Sequence, residues 1–233
     1  MSTMTQLLTG KPYPGRGIVL GQSADGASQL LAYFIMGRSE NSRNRVFTRT
    51  DDGIQTEAFD PSKMVDPSLI IYHPVRTWEG MTIVTNGDQT DTIWEHLKAG
   101  KTFKSALNTR EFEPDPPHFT SRISGLQRHG GGYVLSILKA LDGNDACCVR
   151  SVFDYDTALA GTGHFIHTYQ ENLDPLPAFQ GEPRRVTITA NTAQDFASEI
   201  WNALDADNRI SLYVQCRNVA TGAMEDVLIN KNS

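Results

Sequence analysis

The sequence predicts an α+β fold, a largely antiparallel sheet with helices packed outside it, on three observations. Short β-rich runs recur along the chain, hairpin turn signals separate them, and two segments switch to helical spacing. Residues 17–21 read as a short buried strand. The Asp25-Gly26 turn leads into a returning strand at 29–36. A polar loop over 37–44 precedes a strand at 45–50, and Asp51-Asp52-Gly53 is a second turn. Residues 69–73 and 81–85 are β-rich, and Asn86-Gly87 ends the second run. Ile93, Trp94 and Leu97 then share one helix face, with Thr90 or Asp91 as cap and Gly100 as terminator. Residues 101–107 suit a second short helix. Three prolines in the stretch 113–117 exclude regular structure there. Strands return at 120–126, 133–138, 147–153 and 165–169. Phe196, Ile200, Trp201 and Leu204 mark an amphipathic helix, and 210–216 and 227–229 close the chain as strands. A flexible arm is expected over 1–12 and a single domain over 13–233.

The 233 residues carry a net charge of −6. An acidic chain is a poor general nucleic-acid binder. No apolar run reaches the roughly 20 residues that span a bilayer, and no secretion signal opens the chain. Three cysteines are too few for a disulfide framework, so a reduced, cytoplasmic protein is expected. The charge is uneven. Residues 1–50 hold six basic side chains against two acidic ones, and five of the six are arginine. Arginine's planar fork matches phosphate and carboxylate, which points to a small anionic ligand as readily as to a solvated basic loop.

Several chemistries fail on spacing. Gly15-Arg16-Gly17 lacks the third glycine of a dinucleotide fingerprint and precedes a strand instead of following one. No phosphate-cradling loop or nucleophile elbow is present. His164 and His167 fall on opposite faces of a strand, which does not suit a metal, and Cys147 and Cys148 likewise point opposite ways and read as small buried residues rather than a redox pair. The loop 37–45 stands out, because three arginines interleave with Ser39, Asn41, Ser42 and Asn44. The polar run 86–92 lies between a strand and a helix start, where free backbone N–H groups can orient a ligand.

These segments resemble the archaeal-type IMP cyclohydrolases. The resemblance rests on Tyr13-Pro14-Gly15-Arg16, Gly37-Arg38-Ser39 with Ser42-Arg43, and Ile71-Tyr72 with Arg76. It continues through the string from Thr85-Asn86-Gly87 to Thr90-Asp91-Thr92-Ile93, then Phe112-Glu113 with Asp115, and Thr120 with Arg122-Ile123. Thr168-Tyr169 and Leu176-Pro177 complete it. It implies a four-layer αββα sandwich resembling the N-terminal-nucleophile hydrolases. The implied reaction closes the ring of 5-formamidoimidazole-4-carboxamide ribotide to give IMP and water. It implies a purine ribotide as partner, with no nucleic acid, membrane, metal or cofactor, and it leaves a homo-oligomer open. The chain departs from the pattern in its N-terminal arm and in the proline-rich insert beside Glu113.

Roles follow from the resemblance. Arg43 and Tyr72 would lie at the reacting groups, with Tyr72 donating to the developing oxyanion, and Glu113 would transfer protons. Arg38 and Ser39 would grip phosphate or orient the amide. Asn86, Asp91 and Thr92 would hold ribose or the imidazole carboxamide. Arg16, Arg76 and Arg122 would complete the substrate site, Arg16 and Arg122 by supporting it or pairing with its carboxylates. Two rivals stand beside this reading. One is an N-terminal-nucleophile amidohydrolase, which would need a free Ser, Thr or Cys at the first strand. The other is a non-catalytic purine-nucleotide binder.

Overall fold

The computed structural model describes residues 2–64, 67 and 69–232. It is an α+β protein with two antiparallel sheets and few helices. The first sheet takes β1 (Arg16–Gln22), β2 (Ser28–Met36), β10 (Thr162–His167), β11 (Arg184–Thr187), β12 (Arg209–Asn218) and β13 (Met224–Asn230). Their order is β11-β10-β1-β2-β12-β13. The second sheet runs in chain order: β3 (Arg45–Thr50), β4 (Gly53–Ala58), β5 (Val75–Trp78), β6 (Met81–Thr85), β7 (Arg122–Gln127), β8 (Tyr133–Leu141) and β9 (Asn144–Tyr155). The helices are α1 (Met4–Leu8), α2 (Glu40–Arg43), α3 (Gln89–Lys98), α4 (Phe103–Leu107) and α5 (Ala193–Ala203).

Strand alternation sends one set of side chains to each face, and the core divides accordingly. Ile18, Leu20, Leu31, Tyr33 and Ile35 of the first sheet pack with Phe47, Ile54, Val84, Ile123 and Ile137 of the second. The opposite face of the first sheet, with Val19, Ala32 and Phe34, takes Met4 and Leu8 of α1 and Phe196 and Ile200 of α5. The opposite face of the second takes Ile93 of α3 and Phe103 and Leu107 of α4.

Three expectations change. The segment expected to be a flexible arm carries α1, started by a Thr3–Gln6 capping box and anchored by the buried Met4 and Leu8. Residues 69–73 do not form a strand. The amides of Ile70 and Ile71 turn back onto the Pro67 carbonyl, and Tyr72 exchanges its backbone bonds with Thr56, so pairing with β6 starts only at Val75. The polar loop 37–44 contains one helical turn, α2, capped by the Ser39 side chain. Two strands escaped the hydrophobic pattern. β4 is half polar, and β11 opens with two exposed arginines.

Candidate active site

The inter-sheet core ends in polar residues, and strand parity puts them there. Arg16 is two residues before Ile18 on β1, Tyr33 is the register partner of Ile18 on β2, and Arg45 is two before Phe47 on β3. All three therefore face the space between the sheets. Gly15, with φ of +82°, lets the chain turn into β1 beneath Tyr169, where a Cβ would lie 2.5 Å from that ring. Tyr13 stacks on Tyr169 with ring centroids 5.7 Å apart.

Glu113 reaches this group from the loop before β7. Its amide donates to the Thr120 carbonyl at 2.8 Å, and Asp115 accepts from the Thr120 amide at 2.6 Å and pairs with its hydroxyl. These bonds fold the proline-rich segment into a compact loop. The Thr120 hydroxyl also lies 2.7 Å from the Tyr169 hydroxyl. Glu113 is 2% exposed, and among the described residues its carboxyl has no hydrogen-bond or ion-pair partner. Burial raises its pKa to about 7, against the pull of Arg16 and Arg122. The carboxyl thus holds and releases a proton near neutrality.

Arg16 stays cationic. Burial disfavours its charge, but Glu113 and the oxygens of Tyr169, Tyr13 and Tyr72 outweigh it and raise its pKa. Among the described residues its buried Nε has no partner. Arg45 is fully buried and donates to the carbonyls of Ser42, at 2.8 Å, and Met36, at 3.2 Å. Burial lowers its pKa, and the like charge of Arg16 adds to that. The Tyr72 and Tyr33 hydroxyls are 2.8 Å apart, and burial pushes the Tyr33 phenol well up. The result is a buried carboxyl, the half-buried guanidinium of Arg16 and the fully buried one of Arg45, and paired phenols at one end of the core.

Of the residues singled out in the sequence, this group contains Arg16, Tyr72 and Glu113. Arg122 approaches from the other side of the β6–α3 turn. It donates to Asp88 and Gln89, both at 2.7 Å, and Arg110 pairs with the same Asp88. Gly87 makes room, since a Cβ there would lie 2.5 Å from Arg122 Nη1 and 3.6 Å from Glu113 Oε1. Asn86 spends its side chain internally, donating to the Ser121 carbonyl and accepting from Gln89 and the Ile123 amide. Arg76 bridges Asp52 and Asp91 and lies 3.8 Å from the Trp94 ring centroid. Thr92 accepts a long bond from Arg110.

Arg38 lies over Tyr13 and donates to Asn172 at 2.9 Å, while Ser39 caps α2. Arg43 is turned elsewhere. Its guanidinium donates to the Gly37 carbonyl and to Asn208, and it lines a surface hollow with Asp60 and Asn232. The buried arginine of the 37–45 loop is Arg45. Its position two before Phe47 was the available signal. Tyr33 and Tyr169 were also missed, because each sits in a strand-like run that reads as core.

A titrating carboxyl set among fixed cations and phenols is an acid–base site suited to an anionic small molecule. Residues 13–222 match the family described as IMP cyclohydrolase-like protein, and the chain belongs to that family. It is 26% identical over 195 residues to the IMP cyclohydrolase of Methanosphaera stadtmanae, covering 82% of this chain and 85% of that one. It is 28% identical over 195 residues, with the same coverage, to the IMP cyclohydrolase of Halobacterium salinarum. Among the described residues no helix is long and apolar enough to cross a membrane, and no group of His, Cys, Asp and Glu side chains is set to hold a metal ion.

Proposed function

We propose that the protein is an IMP cyclohydrolase, closing 5-formamidoimidazole-4-carboxamide ribotide to IMP with loss of water. The observation that carries this reading is Glu113, a buried carboxyl poised near pH 7 beside Arg16 and Tyr72. Family membership and the names of the relatives supply the reaction. The packing of helices outside two facing sheets supports the four-layer sandwich of the N-terminal-nucleophile hydrolases as the fold type.

The carboxamide nitrogen attacks the formyl carbon of the same molecule. A carbon–nitrogen bond forms, the formyl oxygen takes up negative charge, and that oxygen later departs as water. An amide nitrogen is a weak nucleophile, so holding the two groups together supplies much of the acceleration. Tyr72 donates toward the developing oxyanion, and the guanidinium groups of Arg16 and Arg45 stabilise it. The carboxylate form of Glu113 accepts the proton released by the attacking nitrogen and returns it to the oxyanion. The formamide nitrogen then gives up its own proton, a second proton reaches the resulting hydroxyl through the same carboxyl, and the carbon–oxygen bond breaks to release water.

We assign the arginine role at the reacting groups to Arg45 in place of Arg43, because Arg45 faces the inter-sheet space near Glu113 whereas Arg43 bonds Gly37 and Asn208 at a surface hollow. Arg38 and Ser39, on the Tyr13 side, are the proposed grip on the phosphate. Asn86, Arg76, Asp91, Thr92 and Arg122 act as positioning residues, since their side chains are engaged with one another and with the β6–α3 turn. The test is turnover of the formamido ribotide by wild type and Tyr72→Phe. A loss of kcat with IMP affinity kept supports the assignment, and equal turnover by both proteins contradicts it.

A further inference from the structure

A cavity of about 170 Å³ lies under α1 beside the Tyr13–Tyr169 stack, on the face of the first sheet that carries Phe165 and packs on α1, opposite the inter-sheet face that carries Ile166. Lys11, Tyr13, Phe165, His167, Tyr169 and Arg184 line it. The family match begins at residue 13, so α1 and Lys11 lie outside it, and they help close the cavity. His167 is 7% exposed, and its Nδ1 lies 2.8 Å from the Tyr169 carbonyl. A carbonyl only accepts, so Nδ1 carries the hydrogen and Nε2 keeps a lone pair. Among the described residues that Nε2 has no hydrogen-bond partner. Burial, with the nearby charges of Arg184 and Lys11, drives the His167 pKa down to about 4, so the ring is neutral at physiological pH. Lys11 and Arg184 form no ion pair or side-chain hydrogen bond among the described residues, and Glu171, which also lines the cavity, pairs with neither.

Aromatic rings thus form part of the wall, His167 offers an unpaired acceptor, and two cations without ion-pair partners among the described residues outnumber the one carboxylate, Glu171. We propose that this cavity is a second ligand site, separate from the Glu113 site, for a flat aromatic anion whose ring presents an N–H donor. The anion meets Lys11 and Arg184, the ring packs on the aromatic walls, and the N–H donates to His167 Nε2. A purine monophosphate with an exocyclic amine has these features.

Calorimetric titration of the full chain with AMP tests the site, with adenosine and ribose 5-phosphate as single-feature controls. We expect AMP to bind with IMP already saturating the protein, and about 10-fold or more tighter than either control. The double variant Lys11→Gln with Arg184→Gln changes exposed groups only, and it should weaken AMP about 10-fold while IMP affinity and turnover stay unchanged. Competition between AMP and IMP, equal AMP affinity in the variant, or no AMP binding at millimolar concentration would each overturn the proposal. Failure of the protein to bind IMP would overturn the cyclohydrolase reading alone, since AMP's dependence on Lys11 and Arg184 would still test the cavity.

Discussion

Glu113 couples chemistry to stability, because a carboxyl whose pKa rises on folding is penalised when ionised. Below its ordinary pKa of 4.5 the group is protonated in both states and costs nothing. As pH rises from there to about 7, the unfolded chain ionises first and stability falls. Above that range the loss is constant, at most about 3 kcal/mol. Glu113→Gln should therefore flatten this part of the stability profile, measured by urea unfolding at pH 5 and pH 8. The same change should lower kcat by roughly 100-fold or more while IMP binding changes little. Arg45→Met should cost about 100-fold or more in kcat/KM, against less than about 5-fold for Arg43→Ala, because of the two only Arg45 faces the inter-sheet space near Glu113. Equal losses in steady-state assays would remove Arg45 from its role. Glu113, Tyr72 and Arg16 were legible from family-like strings. Arg45 was hidden, since Arg43 ends the helical turn α2 and Arg45 opens β3 only two positions later, and nothing in the polar run marks that boundary.

At the scale of elements, the β6–α3 turn sets the position of Arg122. A Cβ at Gly87 would meet Arg122 Nη1 at 2.5 Å and Gln89 Oε1 at 2.6 Å. Gly87→Ala should push Arg122 off Asp88 and cost about 1–3 kcal/mol by overpacking, with reduced kcat, read by thermal unfolding and kinetics together. Helix α1 contributes by burial. Leu8→Ala empties a side chain that is 1% exposed, so a loss of about 2–4 kcal/mol is expected in urea unfolding. Most strands were readable because their buried residues form apolar runs bounded by glycine turns. The 69–73 run misled for a physical reason. Its apolar residues resemble a strand, but Pro74 lacks an amide and Tyr72 is held by Thr56. α1 was missed because five residues give too short a window for helical periodicity, although its Thr3–Gln6 cap was in plain view.

For the whole molecule, the inter-sheet core joins residues from both sheets and ends directly in the Glu113 site. The side chains gathered at the candidate site come from β1, β2, β3, the Tyr72 turn and the loop before β7, so neither sheet carries it alone. We expect one calorimetric unfolding transition with matching van't Hoff and calorimetric enthalpies, as for a single cooperative domain. Two separate transitions would contradict that domain reading. The antiparallel sheet with outer helices could be read from strand spacing, but the division into two facing sheets could not. Hairpin signals give neighbours along the chain, whereas β2–β12 and β1–β10 are pairings between distant segments. The most direct test of the proposed reaction is a metal-free assay with 5-formamidoimidazole-4-carboxamide ribotide, following IMP by ultraviolet absorbance, with Glu113→Gln alongside. IMP formation by wild type and its loss in Glu113→Gln is the expected result, whereas no turnover by wild type, or undiminished turnover by Glu113→Gln, would contradict it.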